Sequence, residues 1–231
     1  MIWLKTPGGM NQKIISKEEG DIVIKNIVFD IGNVILNFDY NRVVKEYTSD
    51  KKEQEFILNN IINSPEWLGY GLIDTGYITR KDAISIVKDR TNHIKDSLID
   101  DFWNSYNKYG HIDKRMLTLI KNLRKKGYKV FLLSNINPYT YDAIKDSKLF
   151  DIVDCYVLSY LENQIKPYDS IYITLIDRYK INPSESLYLD DSEKNIATGN
   201  KLGFISRKVE PDNYNSIIKE INSFIINNKY E

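Results

Sequence analysis

The hydrophobic pattern first becomes regular at Ile22, where Ile22-Val23-Ile24-Lys25-Asn26-Ile27-Val28-Phe29 runs into Asp30 and then Gly32-Asn33. A β-branched run that ends on an aspartate and a glycine predicts a buried strand meeting a tight loop. From Asn41 to about Gly110 the texture changes to helical spacing among many charges, as in Val43-Val44…Tyr47, Phe56-Ile57…Ile61-Ile62 and Ala83-Ile84…Val87. No strand-like run of comparable strength interrupts that stretch. Beyond it, strand and helix patterns alternate. Met116, Leu117, Leu119, Ile120 and Leu123 predict an amphipathic helix closed by Gly127, and Lys129-Val130-Phe131-Leu132-Leu133 predicts a strand with Ser134-Asn135 just past its end. The pattern continues with a strand over 153–158, a helix over 168–179, and a strand over 186–189 that ends in Asp190-Asp191. A helix from about Lys194 to Leu202, a strand around Phe204-Ile205-Ser206 and a helix from about Tyr214 complete it.

Strands alternating with helices imply an α/β fold in three layers, a parallel sheet covered on both faces, with a ligand site at the carboxyl ends of the strands. The boundaries that follow are a core domain over 21–40 and 111–231, and a small all-helical cap domain over 41–110, inserted after the first strand and facing that edge. Residues 1–20 read as a tail or a small added hairpin.

Composition narrows the possible partners. Lys+Arg and Asp+Glu are 32 each, so no overall positive field exists to hold nucleic acid or an anionic membrane surface. Any anion site must therefore be local, and a small molecule is the expected partner. A single cysteine, Cys155, rules out an intrachain disulfide and a zinc site built on several thiolates, and makes the cytoplasm the simplest home. No apolar stretch approaches the length of a bilayer span, and the first twenty residues lack the apolar run of a secretory signal.

The predicted strand ends gather three carboxylates, Asp30, Asp190 and Asp191, which would repel one another without a cation. Hard oxygen ligands with no His or Cys cluster beside them point to magnesium. Lys166, before Pro167 at a predicted helix start, supplies a fixed positive charge for a phosphate and for a nucleophilic carboxylate. Ser134, with the backbone N–H groups after it, offers neutral donors. Each feature alone has a bland reading: strands often end in Asp, Asp-Asp is commonly a solvated turn, and Lys-Pro commonly only starts a helix.

Their order along the chain carries a resemblance. With VFDIGNVIL first, FLLSN second, IKP third and LYLDDSEKN fourth, the chain resembles the haloacid dehalogenase-like superfamily from about Ile22 to Arg207. The resemblance implies a Rossmann-like core and a magnesium-dependent phosphatase working through an aspartyl phosphate. It implies Asp30 as nucleophile, and Asp30, Asp191 and the Gly32 carbonyl as the magnesium ligands. Asp190 and Asn195 follow as nearby partners, Ser134 and Asn135 as phosphate-binding residues, and Lys166 as the lysine that steadies the phosphoaspartate.

One position departs from the pattern. Phosphatases of this family usually carry a second aspartate two residues after the nucleophile, to protonate the leaving group and activate water, and here that position is Gly32. The form FDIGNV followed by Asn37-Phe38-Asp39 nonetheless resembles a bacterial subgroup that includes glucose-1-phosphate phosphatases. A sugar 1-phosphate leaves as a weakly basic anomeric alkoxide and so tolerates the loss. Alternatively the acid comes from the inserted segment or from Asp39, which itself reads as a helix N-cap.

Other residues carry weaker signals. Trp67, Tyr70 and Tyr77 lie around Gly69, Gly71 and Gly76, where aromatics pack helices or, beside glycines, form a lid over a sugar ring. His93 and His111 read as surface residues, and Cys155 as a small buried residue of its strand. Two competing activities share this motif set: a haloacid dehalogenase, which needs no metal and sits poorly with Asp190-Asp191, and a catalytically silent binding scaffold.

Overall fold

The computed structural model describes residues 23–64 and 71–225. The expected tail or hairpin over 1–20, and Trp67, Gly69 and Tyr70, lie outside the described residues.

Strand β1 (Asn26–Phe29) leads to β2 (Leu36–Asn37). The helices α1 (Tyr40–Tyr47), α2 (Lys51–Ile57, continued by a π-helical turn over Leu58–Ile62), α3 (Arg80–Arg90) and α4 (Asp96–Ser105) follow, and then β3 (His111–Ile112). Every described element between β2 and β3 is helical, as the periodicity predicts. β2 and β3 pair antiparallel, Leu36 with Ile112 and Asn37 with His111, so the two ends of the insertion are stitched together at its base. Strands of two residues leave no periodic trace in a sequence, and neither was expected.

The rest of the chain alternates. It runs α5 (Lys114–Lys125), β4 (Lys129–Ser134), α6 (Pro138–Ile144), α7 (Leu149–Ile152), β5 (Cys155–Leu158), α8 (Ser159–Glu162), α9 (Asp169–Tyr179), β6 (Ser186–Asp190), α10 (Glu193–Lys201), β7 (Ile205–Lys208) and α11 (Tyr214–Ile225). The five longer strands form one sheet in the order β5-β4-β1-β6-β7, with every neighbouring pair parallel. The chain builds outward from β1 through β4 to β5, then returns to the other side for β6 and β7. That reversal opens a crevice at the carboxyl ends of β1 and its neighbours.

Alternation along β1 sends Ile27 and Phe29 to one face and Val28 to the other. On the first face Ile27, Phe29, Leu132 and Leu189 join a cluster continuous with Ile57, Val87, Phe102 and Trp103 of the insertion. On the second face Val28, Phe131, Leu133 and Tyr188 pack with Ile171, Tyr172 and Leu175 of α9 and with Phe204. Burial on both sides explains why the strands read as near-continuous apolar runs. Cys155 is half-buried rather than buried, because β5 is an edge strand. His93 and His111 are exposed, as expected.

Helix α10 approaches β6 and β7 through Gly199. A Cβ there would overlap Ser206 Oγ and come within 2.7 Å of Tyr188 Cδ1. Gly199→Ala is expected to destabilise the fold by about 1–3 kcal/mol, since a close-packed seam must shift to admit the methyl group. An unchanged urea midpoint would show that the seam yields freely.

Candidate functional site

Three adjacent strands deliver the site. β4 ends in Ser134, β1 is followed by Asp30, and β6 ends in Asp190 with Asp191 next. The Asp30 amide donates to the Leu189 carbonyl (3.0 Å), fixing the nucleophile candidate to β6. One carboxylate oxygen from each of Asp30, Asp190 and Asp191 falls within 4.8 Å of the others.

Lys166 lies at the centre. Its side chain is 1% exposed, and its Nζ stands 2.8 Å from Asp30 Oδ1 and 2.6 Å from Asp190 Oδ2. It occupies a loop, three residues before α9, rather than a helix start: the Lys166–Pro167 peptide is cis and Tyr168, the N-cap, is extended. Burial pulls the ammonium's pKa down, but Asp190 and Asp30 outweigh it and raise it, so the cation is kept. Around the acids the balance is different. Burial pushes Asp30 up to about 7; Lys166 opposes this, and the charges of Asp190 and Asp191 add to it. Burial also raises Asp191, against the bond from Asn33 and with the repulsion of Asp190.

Asp190 is fully occupied. Its oxygens accept from Lys166 Nζ (2.6 Å), the Tyr188 hydroxyl (2.5 Å), the Ser192 amide (2.8 Å) and Asn195 Nδ2 (3.0 and 3.1 Å). With that many donors converging on it, it holds Lys166 and Asn195 in place. Asp30 Oδ1, by contrast, is buried and, beyond its ion pair with Lys166, makes no hydrogen bond.

The expected residues therefore meet, with one refinement. Asn135 spends its carboxamide on the Lys166 backbone, Nδ2 donating to the Lys166 carbonyl (2.9 Å) and Oδ1 accepting from the Lys166 amide (2.8 Å). Ser134, 1% exposed, sits beside it at the end of β4. Two residues escaped sequence reasoning. Asn33 donates through Nδ2 to Asp191 Oδ2 (3.0 Å) from a left-handed turn at φ 55°, a conformation in which Asn is enriched. Its type and its place beside Gly32 were the available signal. Tyr188, two residues before Asp190, looked like one more apolar strand residue.

Asp39 caps α1, accepting from the Arg42 amide (2.9 Å), in keeping with its reading as an N-cap. Gly76, beside the aromatic residues, is anchored rather than hinged: its φ is +75° and a Cβ would meet the Tyr160 carbonyl at 2.7 Å. Tyr77 is 68% exposed and stays clear of the strand-end crevice.

Asp190→Asn removes one of the two carboxylates that hold Lys166 and aims an amide at its donors. The variant is expected to lose on the order of 3 kcal/mol of stability, as when a buried ion pair is broken from one side. A loss below about 1 kcal/mol, the range of an exposed pair, would mean that Asp30 alone holds the ammonium.

Comparison with known proteins agrees with this geometry. The model of the haloacid dehalogenase-like hydrolases matches residues 24–203. A D-ribitol-5-phosphate phosphatase of Bacteroides thetaiotaomicron is 28% identical over 204 residues, 83% of this chain and 93% of the relative. A sesquiterpene phosphatase of Aspergillus oryzae is 24% identical over 182 residues, 78% of this chain and 87% of that protein. Among solved structures, a HAD family enzyme from Bacteroides thetaiotaomicron in complex with magnesium and inorganic phosphate superposes with a TM-score of 0.65. It is 25% identical, and the alignment covers 84% of this chain and 98% of that one. With the family model spanning β1 through β6 and all four motifs, the chain belongs to the haloacid dehalogenase-like hydrolase family.

Proposed function

We propose that this chain is a magnesium-dependent phosphatase that hydrolyses a small phosphomonoester, a sugar or polyol phosphate, through a phosphorylated Asp30. The observation that carries the reading is Lys166, a buried ammonium held between Asp30 and Asp190 at 2.8 and 2.6 Å. A fixed cation beside a carboxylate orients it for attack and offsets charge as a phosphoryl group arrives.

The residues present suit magnesium. Asp30 offers a buried oxygen without a hydrogen bond, Asp191 is half-buried beside it, and the donors are hard oxygens. Asp30, Asp191 and the Gly32 carbonyl would hold the ion, while Asp190, already saturated, would not. When bound, magnesium supplies Lewis-acid polarisation of the phosphoryl oxygens. The chain's own groups do the rest. Asp30 attacks phosphorus and becomes the acyl phosphate, Lys166 balances its charge, and Ser134 with the amides beyond β4 donates to the phosphoryl oxygens. Asn135 and Asp190 keep Lys166 aimed, Asn195 supports Asp190, and Asn33 orients Asp191.

The helical segment 41–110 serves in this reading as the cap that selects the substrate, over a core of 21–40 and 111–231. Two relatives named as phosphatases support the activity, and the polyol phosphate in the name of one supports the polyol class; glucose 1-phosphate is the candidate that the FDIGNV form of the first motif suggests. The net charge of zero fits a small metabolite rather than nucleic acid, and the chemistry fits the cytoplasm. No helix among the described residues is long and apolar enough to cross a membrane.

Sugar and polyol phosphates, nucleotides and an aryl phosphate, each assayed with magnesium and with chelator, test the assignment. Turnover is expected only with magnesium, and metal-independent activity on a haloacid instead would establish the dehalogenase. Asp30→Asn should lower turnover by roughly 10⁴-fold or more while leaving the melting transition in place, because nucleophile and shape separate in that change. Undiminished turnover in that variant would sink the covalent route. Asp191→Ala should weaken magnesium binding by calorimetry far more than Ser134→Ala, since only the first removes a charged ligand. Equal losses would mean that the ion lies elsewhere.

A further inference from the structure

Release of an alcohol from a phosphomonoester calls for a proton at the leaving oxygen, and Gly32 has none to give. Beside it lies a cavity of about 80 Å³, room for several waters, whose lining includes Gly32, Asn33, Ser134, Asn135, Tyr106 and Asp74. Asp74 comes from the insertion. The fold thus brings one carboxyl group of the helical segment into the same cavity as the nucleophile's loop and the end of β4.

That carboxyl group is held on one side only. Asp74 is 8% exposed, and its Oδ1 accepts from Asn137 Nδ2 (3.0 Å). No other hydrogen bond reaches its carboxylate among the described residues. Asn137 cannot turn away, because its Oδ1 accepts from the Thr140 amide (3.0 Å) and the Tyr106 hydroxyl (3.4 Å). The Asp74 backbone is tied to the core by Ser159 Oγ, which donates to its carbonyl (2.6 Å). A carboxylate buried with a single neutral partner is costly, and a structural hydrogen bond to Asn137 would be served as well by an amide.

We propose that Asp74 is the general acid and base of this phosphatase, standing in for the aspartate absent at Gly32; the inference rests on the phosphatase reading above. In the first step an Asp30 oxygen bonds to phosphorus, the bond from phosphorus to the ester oxygen breaks, and the Asp74 carboxyl proton passes to that oxygen, releasing the alcohol. In the second, the Asp74 carboxylate takes a proton from a water whose oxygen bonds to phosphorus. The acyl phosphate bond breaks, and Asp30, inorganic phosphate and a protonated Asp74 return. The net change is ester plus water to alcohol plus phosphate.

Protonation of Asp74 in the resting enzyme follows from its surroundings. Burial pushes the carboxyl up to about 7, against the bond from Asn137. Among the described residues, the ionisable groups near Asp74 include Tyr40 from α1 and Tyr106, whose phenol burial keeps neutral, both lining the cavity, and Arg80 at the start of α3, stacked 3.9 Å over the Tyr139 ring. A donor with a pKa near neutrality is matched to both halves of the cycle.

The experiment compares wild type, Asp74→Asn and Asp74→Asn with Gly32→Asp, using p-nitrophenyl phosphate and a series of alkyl phosphates such as sugar 6-phosphates, with magnesium. The Asn variant keeps an acceptor for Asn137, and a melting curve checks its fold. Gly32 admits the aspartate: its Cβ would meet nothing within 4 Å, and its backbone lies outside the left-handed region. Single-turnover phosphorylation by alkyl phosphates should fall about 10²–10⁴-fold in Asp74→Asn. Phosphorylation by the aryl phosphate should fall less than about tenfold, because nitrophenolate leaves unprotonated. The same variant should release a burst of one nitrophenol per chain and then turn over slowly, for want of a base, and Gly32→Asp should restore the alkyl rates. In wild type the alkyl rate should fall as pH rises through about 7 while the aryl rate does not. Equal loss on both substrate classes, or no loss, overturns the assignment and leaves Asp74 a structural partner of Asn137. If wild type turns over no phosphoester, or if turnover survives Asp30→Asn, the phosphatase reading falls and the proposal falls with it.

Discussion

The site depends on one buried ammonium. Placing Lys166 where its side chain is 1% exposed costs several kcal/mol in lost hydration, which only close and well-oriented carboxylates can offset. Asp30 and Asp190 do so, and much of the surrounding sequence exists to hold them there. Tyr188, the Ser192 amide and Asn195 fix Asp190, while Asn135 grips the Lys166 backbone through both ends of its carboxamide. Residues of the second, third and fourth motifs thus act on a single point. Were any of these to let the ammonium drift, Asp30 would face Asp190 and Asp191 with no positive charge between them.

The sheet explains why that point lies where it does. Neighbouring strands run about 4.8 Å apart, so polar residues at the ends of β4, β1 and β6 fall within roughly 10 Å of one another without any loop having to reach. The reversal of strand order beside β1 clears the space above them. Hydrophobic alternation within the strands and chemistry at their ends are consequences of the same geometry. The strand must be buried on both faces to be central, and its last residue must be polar to meet the crevice.

This is also why the core of the site could be read from the chain. A buried strand writes a continuous apolar run, and the residue just past it is marked by the break, so Asp30, Ser134 and Asp190-Asp191 stood out. What could not be read was whatever depends on distant pairs. β2 and β3 are too short to show a period. Lys166 was marked as the cation for the nucleophile, but it looked like a helix start because Pro167 follows it, and only the fold places it in a loop with Asp190 as a second acid beside it. Asn135 was marked for phosphate, and its grip on the Lys166 backbone left no trace in the sequence. Asp74, within Gly71-Leu72-Ile73-Asp74-Thr75-Gly76, was not singled out from the sequence at all. Its hydrogen-bond partners, Asn137 at the carboxylate and Ser159 at the carbonyl, lie 63 and 85 residues away. No local pattern encodes that.

The location of Asp74 also answers an electrostatic difficulty. An acid at position 32 would share a short loop with Asp30 and stand close to Asp191; at 4 Å and an effective dielectric constant of 20, two like charges repel by about 4 kcal/mol. Its protonation would then be governed by the carboxylate cluster and by whatever cation the cluster holds. On the insertion, burial raises the carboxyl and one hydrogen bond from Asn137 opposes the rise. Such a donor must be delivered by a second segment of chain, and contacts from the core hold that segment in place. Ser159 holds the Asp74 carbonyl, Asn163 Nδ2 donates to the Thr75 carbonyl (2.9 Å), and Gly76 lies against the Tyr160 carbonyl at a backbone angle that side chains rarely adopt. The turn that carries Asp74 is therefore an extension of the core, fastened to α8 and to the loop before α6. Those contacts keep the proposed proton donor at the cavity it shares with the loop that follows Asp30.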